Sequence, residues 1–434
     1  MKLRFLCLAL ATLPAAAVSQ EQETWNAHFQ STYIWQKKPS FTSRYEGPNS
    51  LTAARERSYS LTGTAAFGLR LGSAIEVYFD PEVALGVPLS GLLGLAGFTN
   101  GELAKTSGAN PTLYRARLFV RHTVGLGGEP TKVEGAANQL AGSYDSRRLV
   151  LTAGNLALLD IFDGNSFARD PRTQFMNWVL MTHGAYDYAA DSRGYTNGLA
   201  AEYFDDRWTL RIGRFAQPLE PNQLKLDNRL LRHYGDQVEV SRSYDVGNQS
   251  GVVRLLAFRT RAVMASYEDA LAAARSSGGA PDINAVRTVE RTKTGFGVNI
   301  EHRVRDDIGL FARAMHADGK TETYAFTETD RSISAGLSLR GDTWQRADDA
   351  VGVAVAANFL SAPHQAYLAR GGLTFFLGDG ALRYGPERIV EAYYSFSIHK
   401  SFRLTADYQR ISNPGYNAAR GPASFYALRL HWEN

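Results

Sequence analysis

The chain has 434 residues, with 47 Lys and Arg against 43 Asp and Glu, for a formal net charge of +4. That excess is small and its residues are scattered, which gives nucleic-acid binding no support. Mean hydropathy is −0.26 and no apolar run approaches the ~20 residues of a transmembrane helix. The only cysteine, Cys7, lies in an N-terminal segment that export would remove, so the mature chain is expected to hold no disulfide and no thiolate metal site.

The first residues read as an export signal. Lys2 and Arg4 precede a short apolar run over 5–13, and Ala17-Val18-Ser19 offers small residues for cleavage. Residues 1–19 are therefore assigned as a signal peptide cut after Ser19. Cys7 sits inside the apolar run, which argues against a lipid-modified N-terminus. Residues 20–57 (with WNAHFQSTYIWQKKPSF) are aromatic and polar without clean alternation, and are read as an N-terminal arm packed in or at the rim of the domain that follows, 58–434.

From Tyr59 the hydropathy alternates with period two. Tyr59, Leu61, Phe67, Leu69 and Leu71 share one face, against Ser60, Thr62, Thr64 and Arg70 on the other. Over 114–124, Tyr114, Ala116, Leu118, Val120 and Val124 oppose Arg115, Arg117, Phe119, Arg121 and Thr123. An arginine facing lipid near the bilayer midplane costs about 2–4 kcal/mol, so this reading turns the three arginines toward water. Leu210 and Ile212 oppose Arg211, Val238 and Val240 oppose Glu239, and the same dyad recurs to the C-terminus, where Leu428, Leu430 and Trp432 oppose Arg429 and His431.

With segments near 147–155, 175–186 and 251–263 added, about sixteen strands result, the register of 253–261 staying open. Turns such as Leu71-Gly72-Ser73 are short. Loops near 81–111, 156–174, 270–293 and 361–386 are long, and such lopsidedness fits the two ends of a transmembrane antiparallel β-barrel with inward-folding loops. No repeat of 20–50 residues points to a propeller.

The stretch 149–178 (LVLTAGNLALLDIFDGNSFARDPRTQFMNW) begins as a strand and continues as a charge-dense loop. Asp160, Asp163, Asn165 and Asp170 could surround Ca²⁺, but position twelve from Asp160 is Pro171 where an EF-hand needs a bidentate Glu. Pairing of these acids with Arg169 and Arg172 is the better reading, and no metal is assigned. Gly164-Asn165-Ser166-Phe167-Ala168 lacks the closing glycine of a nucleophile elbow. His122, His183, His302 and His399 are placed at strand ends or on the lipid side. No catalytic residue and no cofactor is assigned.

Parity and loop position nominate a constriction. Arg115, Arg117 and Arg121 form one wall, Glu76 and Glu202 oppose them with Arg211 beside Glu202, and Asp160, Asp163, Asn165, Arg169, Asp170 and Arg172 line the inward loop. Mixed guanidinium forks and carboxylates offer many donors and acceptors to hydroxyls, and aromatic faces such as Phe119 and Tyr393 can stack on sugar rings. A neutral polyhydroxylated solute and a general or anion-preferring porin are equally compatible with these residues.

Several stretches resemble the carbohydrate-selective porin (OprB) family: FTSRYEGPNSL (41–51), LSGLLGLAGFTNGE (89–102), DIFDGNSFARDPRTQFMNW (160–178), DYAADSRGYT (187–196), GGLTFFLGDG (371–380) and DYQRISNPGYNAARGP (407–422). The resemblance spans nearly the whole mature chain. It implies a sixteen-stranded barrel in the Gram-negative outer membrane, and facilitated diffusion of glucose and similar sugars without cofactor or catalysis. The expected partners are carbohydrate solutes, outer-membrane lipid, the barrel-assembly machinery and, as an open alternative to a monomer, further copies of the chain. One departure is the end, Trp432-Glu433-Asn434, where the usual terminal aromatic is displaced by two residues.

Overall fold

The structure is a computed structural model that describes residues 22–434. The expected signal peptide lies outside the described residues. Sixteen antiparallel strands close into one barrel. They are β1 Trp25–Lys38, β2 Glu56–Leu71, β3 Ile75–Val87, β4 Thr112–Gly125, β5 Arg148–Leu156, β6 Thr196–Asp205, β7 Trp208–Phe215 and β8 Tyr234–Val246. The circuit continues with β9 Gln249–Val263, β10 Glu290–Arg305, β11 Ile308–Ala317, β12 Arg331–Gly341, β13 Arg346–Phe359, β14 Glu387–His399, β15 Phe402–Ser412 and β16 Ala423–Glu433.

Of the expected N-terminal arm, Trp25–Lys38 is instead a barrel strand, and the loop after it buries Leu51 in the lumen cluster. β1 pairs with β2 along its whole length and with β16, which closes the sheet on itself. Its alternation is masked because Ile34 faces inward, packed with Met176 and Ala427, while Ser31 faces outward. Conversely, 175–186 is not a strand. Phe175, Met176, Trp178, Leu180 and Tyr186 are buried inside the lumen, in a loop that holds a short helix, Trp178–Met181. The count of sixteen therefore holds although one expected strand is exchanged for another.

Outward residues such as Phe67, Leu69, Leu199, Ile212 and Leu255 are exposed and form the apolar belt that lipid covers. The region 253–261, open by sequence, takes the phase with Leu255, Ala257, Arg259 and Arg261 outward and Leu256, Phe258 and Thr260 buried inward. Phe258 points in because it packs on Tyr186, 5.6 Å between ring centroids.

Inside, the loops that join strands at one end fold down and pack into a hydrophobic cluster that includes Phe98, Phe162, Phe175, Trp178 and Tyr186. Wall glycines make room for them. A Cβ at Gly309 would lie 2.0 Å from the Phe167 ring, and one at Gly297 3.0 Å from His183.

The opposite end has short turns with one exception. Residues 126–147 form a small ribbon, Pro130–Val133 with Gly142–Asp145, and the tip between them enters the lumen from below. There the Leu140 N–H donates to Tyr78 Oη at 3.1 Å, and Asn138 Nδ2 donates to Asp80 at 2.8 Å.

Candidate channel constriction

Two inward loops, 88–111 and 157–195, meet the wall formed by β2, β3 and β4. The Arg117 fork grips Asp160 twice, Nε to Oδ2 at 2.7 Å and Nη2 to Oδ1 at 2.8 Å, while its Nη1 reaches Asp80 Oδ2 at 3.2 Å. Arg172 donates from Nε to Glu102 at 3.0 Å and lies 3.4 Å from Glu82. Glu82 also accepts from Thr64 at 2.6 Å, from Tyr195 at 3.2 Å and from the Tyr114 hydroxyl. Arg117 stands over the Tyr195 ring, 5.4 Å from its centroid. A cavity opens beside this group, lined among others by Glu102, Lys105, Arg172, Trp178, Tyr188 and Tyr195.

Of the residues nominated by sequence, Arg117, Asp160 and Arg172 come together here. Arg169 lies beside them, with its guanidinium donating to the Leu159 carbonyl at 2.7 Å. Asp170 caps the turn, accepting from Arg172 N at 3.0 Å and Thr173 Oγ1 at 2.8 Å.

Arg115 does not face the lumen. Ala116 is a bulge on β4 opposite Asp80 and Pro81 of β3, so Pro81 pairs Arg115 and Glu82 pairs Tyr114. One extra residue reverses the phase, which turns Arg115 outward and brings Tyr114 in.

Arg121 and Glu76 face inward, but lower down and under the 126–147 loop. Glu76 is buried between Arg70 at 2.9 Å and Arg121 at 3.7 Å and accepts from Tyr144 of that loop at 2.7 Å. Glu202, Arg211 and Glu239 make a ladder on the far wall, with Arg211 2.8 Å from Glu202 and 2.9 Å from Glu239.

Asp163 and Asn165 are buried anchors. Asp163 accepts from Thr182 Oγ1 at 2.7 Å, His183 N at 2.9 Å and Asn299 at 2.6 Å, with Arg313 at 3.2 Å. Burial opposes its charge, but Arg313, with hydrogen bonds from Thr182 and Asn299, outweighs that and holds the carboxyl below its ordinary value. Asn165 bonds Asn299 at 2.8 Å and caps its own turn at Phe167 N, 2.9 Å. The oxygens of Asp160 and Asp163 thus turn to different arginines, and among the described residues no cluster suited to a metal ion occurs.

His183 is fully enclosed in the lumen, not at a lipid interface, and burial lowers its imidazole to about 4. Ser166 Oγ donates to Glu301 at 3.0 Å.

Sequence reasoning missed how the loops are held. Wall carboxylates grip loop backbone: Glu239 accepts from Asp163 N at 2.7 Å, Glu301 from Ser166 N at 2.7 Å, and Glu391 from Met176 N at 2.5 Å and Asn177 N at 3.0 Å. Glu387 takes Gly97 N at 2.7 Å from the other loop. Arginines do the reverse: Arg429 donates to the Pro171 carbonyl at 2.7 Å and Arg313 to that of Ala168 at 2.8 Å. Glu239, Glu301, Glu391, Arg313 and Arg429 all fall on the polar face by parity, which is the one signal the sequence offered.

A closed antiparallel barrel with a lipid-facing belt and a lumen narrowed by folded-in loops defines an outer-membrane diffusion channel, and this architecture points away from an enzyme. The chain belongs to the carbohydrate-selective porin, OprB family, whose model matches residues 67–433. A carbohydrate channel of the outer membrane is the function that this membership carries.

Among solved structures, the high-pH structure of Pseudomonas putida OprB is similar at 16% identity and TM-score 0.72, covering 95% of this chain and 94% of that one. The outer membrane channel DcaP of Acinetobacter baumannii is similar at 10% identity and TM-score 0.54, covering 94% and 97%. At such identities the likeness concerns the fold. No curated protein sequence matches the chain significantly.

Proposed function

We propose that sugars cross this channel by passing the Arg117–Asp160 and Arg172–Glu82–Glu102 groups, exchanging hydrogen bonds with them in turn. The observation that carries the reading is that every arginine of the group is paired with more than one acid. Two guanidinium groups, Arg117 and Arg172, sit among four carboxylates, Asp80, Asp160, Glu82 and Glu102, within 3.4 Å of their partners.

An anion filter needs uncompensated positive charge, and these arginines have none to spare. A polyol, in contrast, meets acceptors and donors in alternation and can replace water at each without carrying charge through. Tyr114 and Tyr195, whose hydroxyls are tied to Glu82, carry Arg193 and Arg117 over their rings and so hold these guanidinium groups in place beside the same path. Binding of this kind stays weak enough for exit.

Liposome swelling with a panel of mono- and disaccharides, paired with planar-bilayer recordings, tests it. Sugar-dependent block without anion selectivity is expected. Strong anion selectivity without block by any sugar would replace this reading with an anion-preferring porin. Contacts with the barrel-assembly machinery and self-association belong to the same proposal and are tested by crosslinking during assembly and by sizing in detergent.

A further inference from the structure

The outer wall carries a second pattern that sugar passage does not use. On β7, β8 and β9, near the ends from which the long loops emerge, Asp236 pairs in register with Arg214 and Arg259, and Tyr234 pairs with Arg261. These positions continue the outward face of Ile212, Val238 and Leu255, all well exposed to lipid. Asp236 accepts from Arg214 Nε at 2.6 Å and from Arg259 Nη2 at 2.6 Å, and the Tyr234 ring carries Arg214 at 4.0 Å and Arg259 at 5.3 Å. Glu290 takes Arg261 at 2.8 Å and also Arg232 and His233.

Four guanidinium groups thus share two carboxylates, and they remain 35 to 61% exposed. Arg232, Arg259 and Arg261 each spend a single nitrogen on these acids, which leaves their other side-chain N–H groups without a protein acceptor among the described residues.

The excess continues around the same rim. Arg57, Arg331, Arg388 and Arg410 lie near the long-loop ends of their strands, exposed on the outward face, as does the bulge-reversed Arg115. The ion pairs found among the described residues include none of these five. The opposite rim differs: Arg207, Arg305, Arg340 and Arg346 each hold an aspartate, within 3.3 Å. Arg147, Arg242 and Lys400 near the short turns also lack an ion pair among the described residues, so the two edges differ in degree, the long-loop rim carrying the denser set of exposed guanidinium groups.

We propose that the long-loop rim docks phosphate-bearing lipid headgroups of the leaflet it faces, with Arg214, Arg232, Arg259 and Arg261 as the principal site. Guanidinium forks match phosphate oxygens two at a time. Continuity with the apolar wall selects a lipid: a headgroup phosphate on Arg259 and Arg261 lays its acyl chains along Val238, Leu255 and Phe296, contacts that a free anion cannot make. The inference stands apart from what crosses the lumen.

The test is native mass spectrometry of the full detergent-purified channel with a bisphosphorylated diglucosamine lipid as probe, against the same lipid without phosphates and against excess inorganic phosphate. Wild type is expected to retain the phosphorylated lipid only, with no displacement by inorganic phosphate. The double variant R259Q/R261Q is expected to bind it about tenfold more weakly, as loss of charge-assisted hydrogen bonds implies, while R305Q/R340Q at the other rim binds as wild type.

Equal retention of the dephosphorylated lipid would overturn the proposal without recourse to any variant. So would displacement by inorganic phosphate, which would mark a free-anion site. Heat-modifiable electrophoresis verifies that each variant is a closed barrel, and undiminished binding by a folded R259Q/R261Q would likewise overturn it.

Discussion

Arg117 meets Asp160 fork to fork, with two N–O contacts at 2.7 and 2.8 Å, and so ties the inward 157–195 loop to the β4 wall. The pair is partly exposed, with 15 and 36% of the two side chains accessible, and exposed pairs contribute only about 0–1 kcal/mol to stability. Its value would lie in geometry. Replacing Asp160→Asn should leave the barrel's melting unchanged while weakening sugar block of single-channel current about five- to thirtyfold, as expected for one or two lost hydrogen bonds at ~1 kcal/mol each. Block equal to wild type would remove this pair from the sugar path.

Glu391 is a different kind of residue, since its side chain is fully buried and takes two loop N–H groups, those of Met176 and Asn177. Glu391→Ala strands both donors, at roughly 1–3 kcal/mol each. The expected result is a folded barrel whose 157–195 loop opens: faster amide exchange at Met176 and Asn177, noisier current, and protease cleavage within that loop. Exchange protection as in wild type would show that packing around Phe175 and Trp178 holds the loop by itself.

These cases show what a sequence can and cannot yield for such a barrel. The lipid-facing half of nearly every strand was legible because hydrocarbon imposes one rule on Leu69, Ile212 or Val353 alike. The lumen imposes no such rule, because it is partly a protein interior. Leu256 and Phe258 point inward onto loops, and the apolar 175–186 segment resembles a membrane strand because it is the core of the plug. The bulge at Ala116 leaves no mark in composition, yet it decides that Arg115 faces outward and Arg117 inward. Asp160, Arg169 and Arg172 could be placed from loop position alone. That Asp163 would turn away to Asn299 and Arg313 depended on strands more than a hundred residues distant.

The buried His183 makes loop packing sensitive to acid. Burial lowers its folded-state value to about 4 from an ordinary 6.5, so the folded loop binds fewer protons than the opened one. Stability is then fully present above pH 6.5 and is lost as pH falls toward 4, by about 3 kcal/mol at the limit. Amide exchange across residues 160–183, corrected for intrinsic rates, should show protection falling through this window. His183→Gln should flatten the trend. A wild-type profile without that fall would assign the acid response elsewhere.

Lys105 offers the sharpest electrical test of the cavity. Its ammonium donates to Asn222 Oδ1 and the Ala325 carbonyl, with the Trp178 and Phe376 rings 5.7 and 5.5 Å away. It keeps some contact with cavity solvent, but protein surrounds it, and that desolvation lowers it to about 7. Between pH 6 and pH 8 the cavity therefore loses one positive charge. A unit charge about 8 Å from a passing ion, at an effective dielectric near 40, contributes ~1 kcal/mol, about fivefold in relative permeability. The cation-to-anion permeability ratio from reversal potentials should rise over this interval in wild type and stay level in Lys105→Met. Swelling rates with neutral sugars should be nearly constant over the same interval, because a polyol has no charge for Lys105 to repel or attract. A wild-type ratio that does not change with pH would place Lys105 away from the ion path, whereas sugar flux that follows the ratio would mean that Lys105 itself bonds the passing hydroxyls.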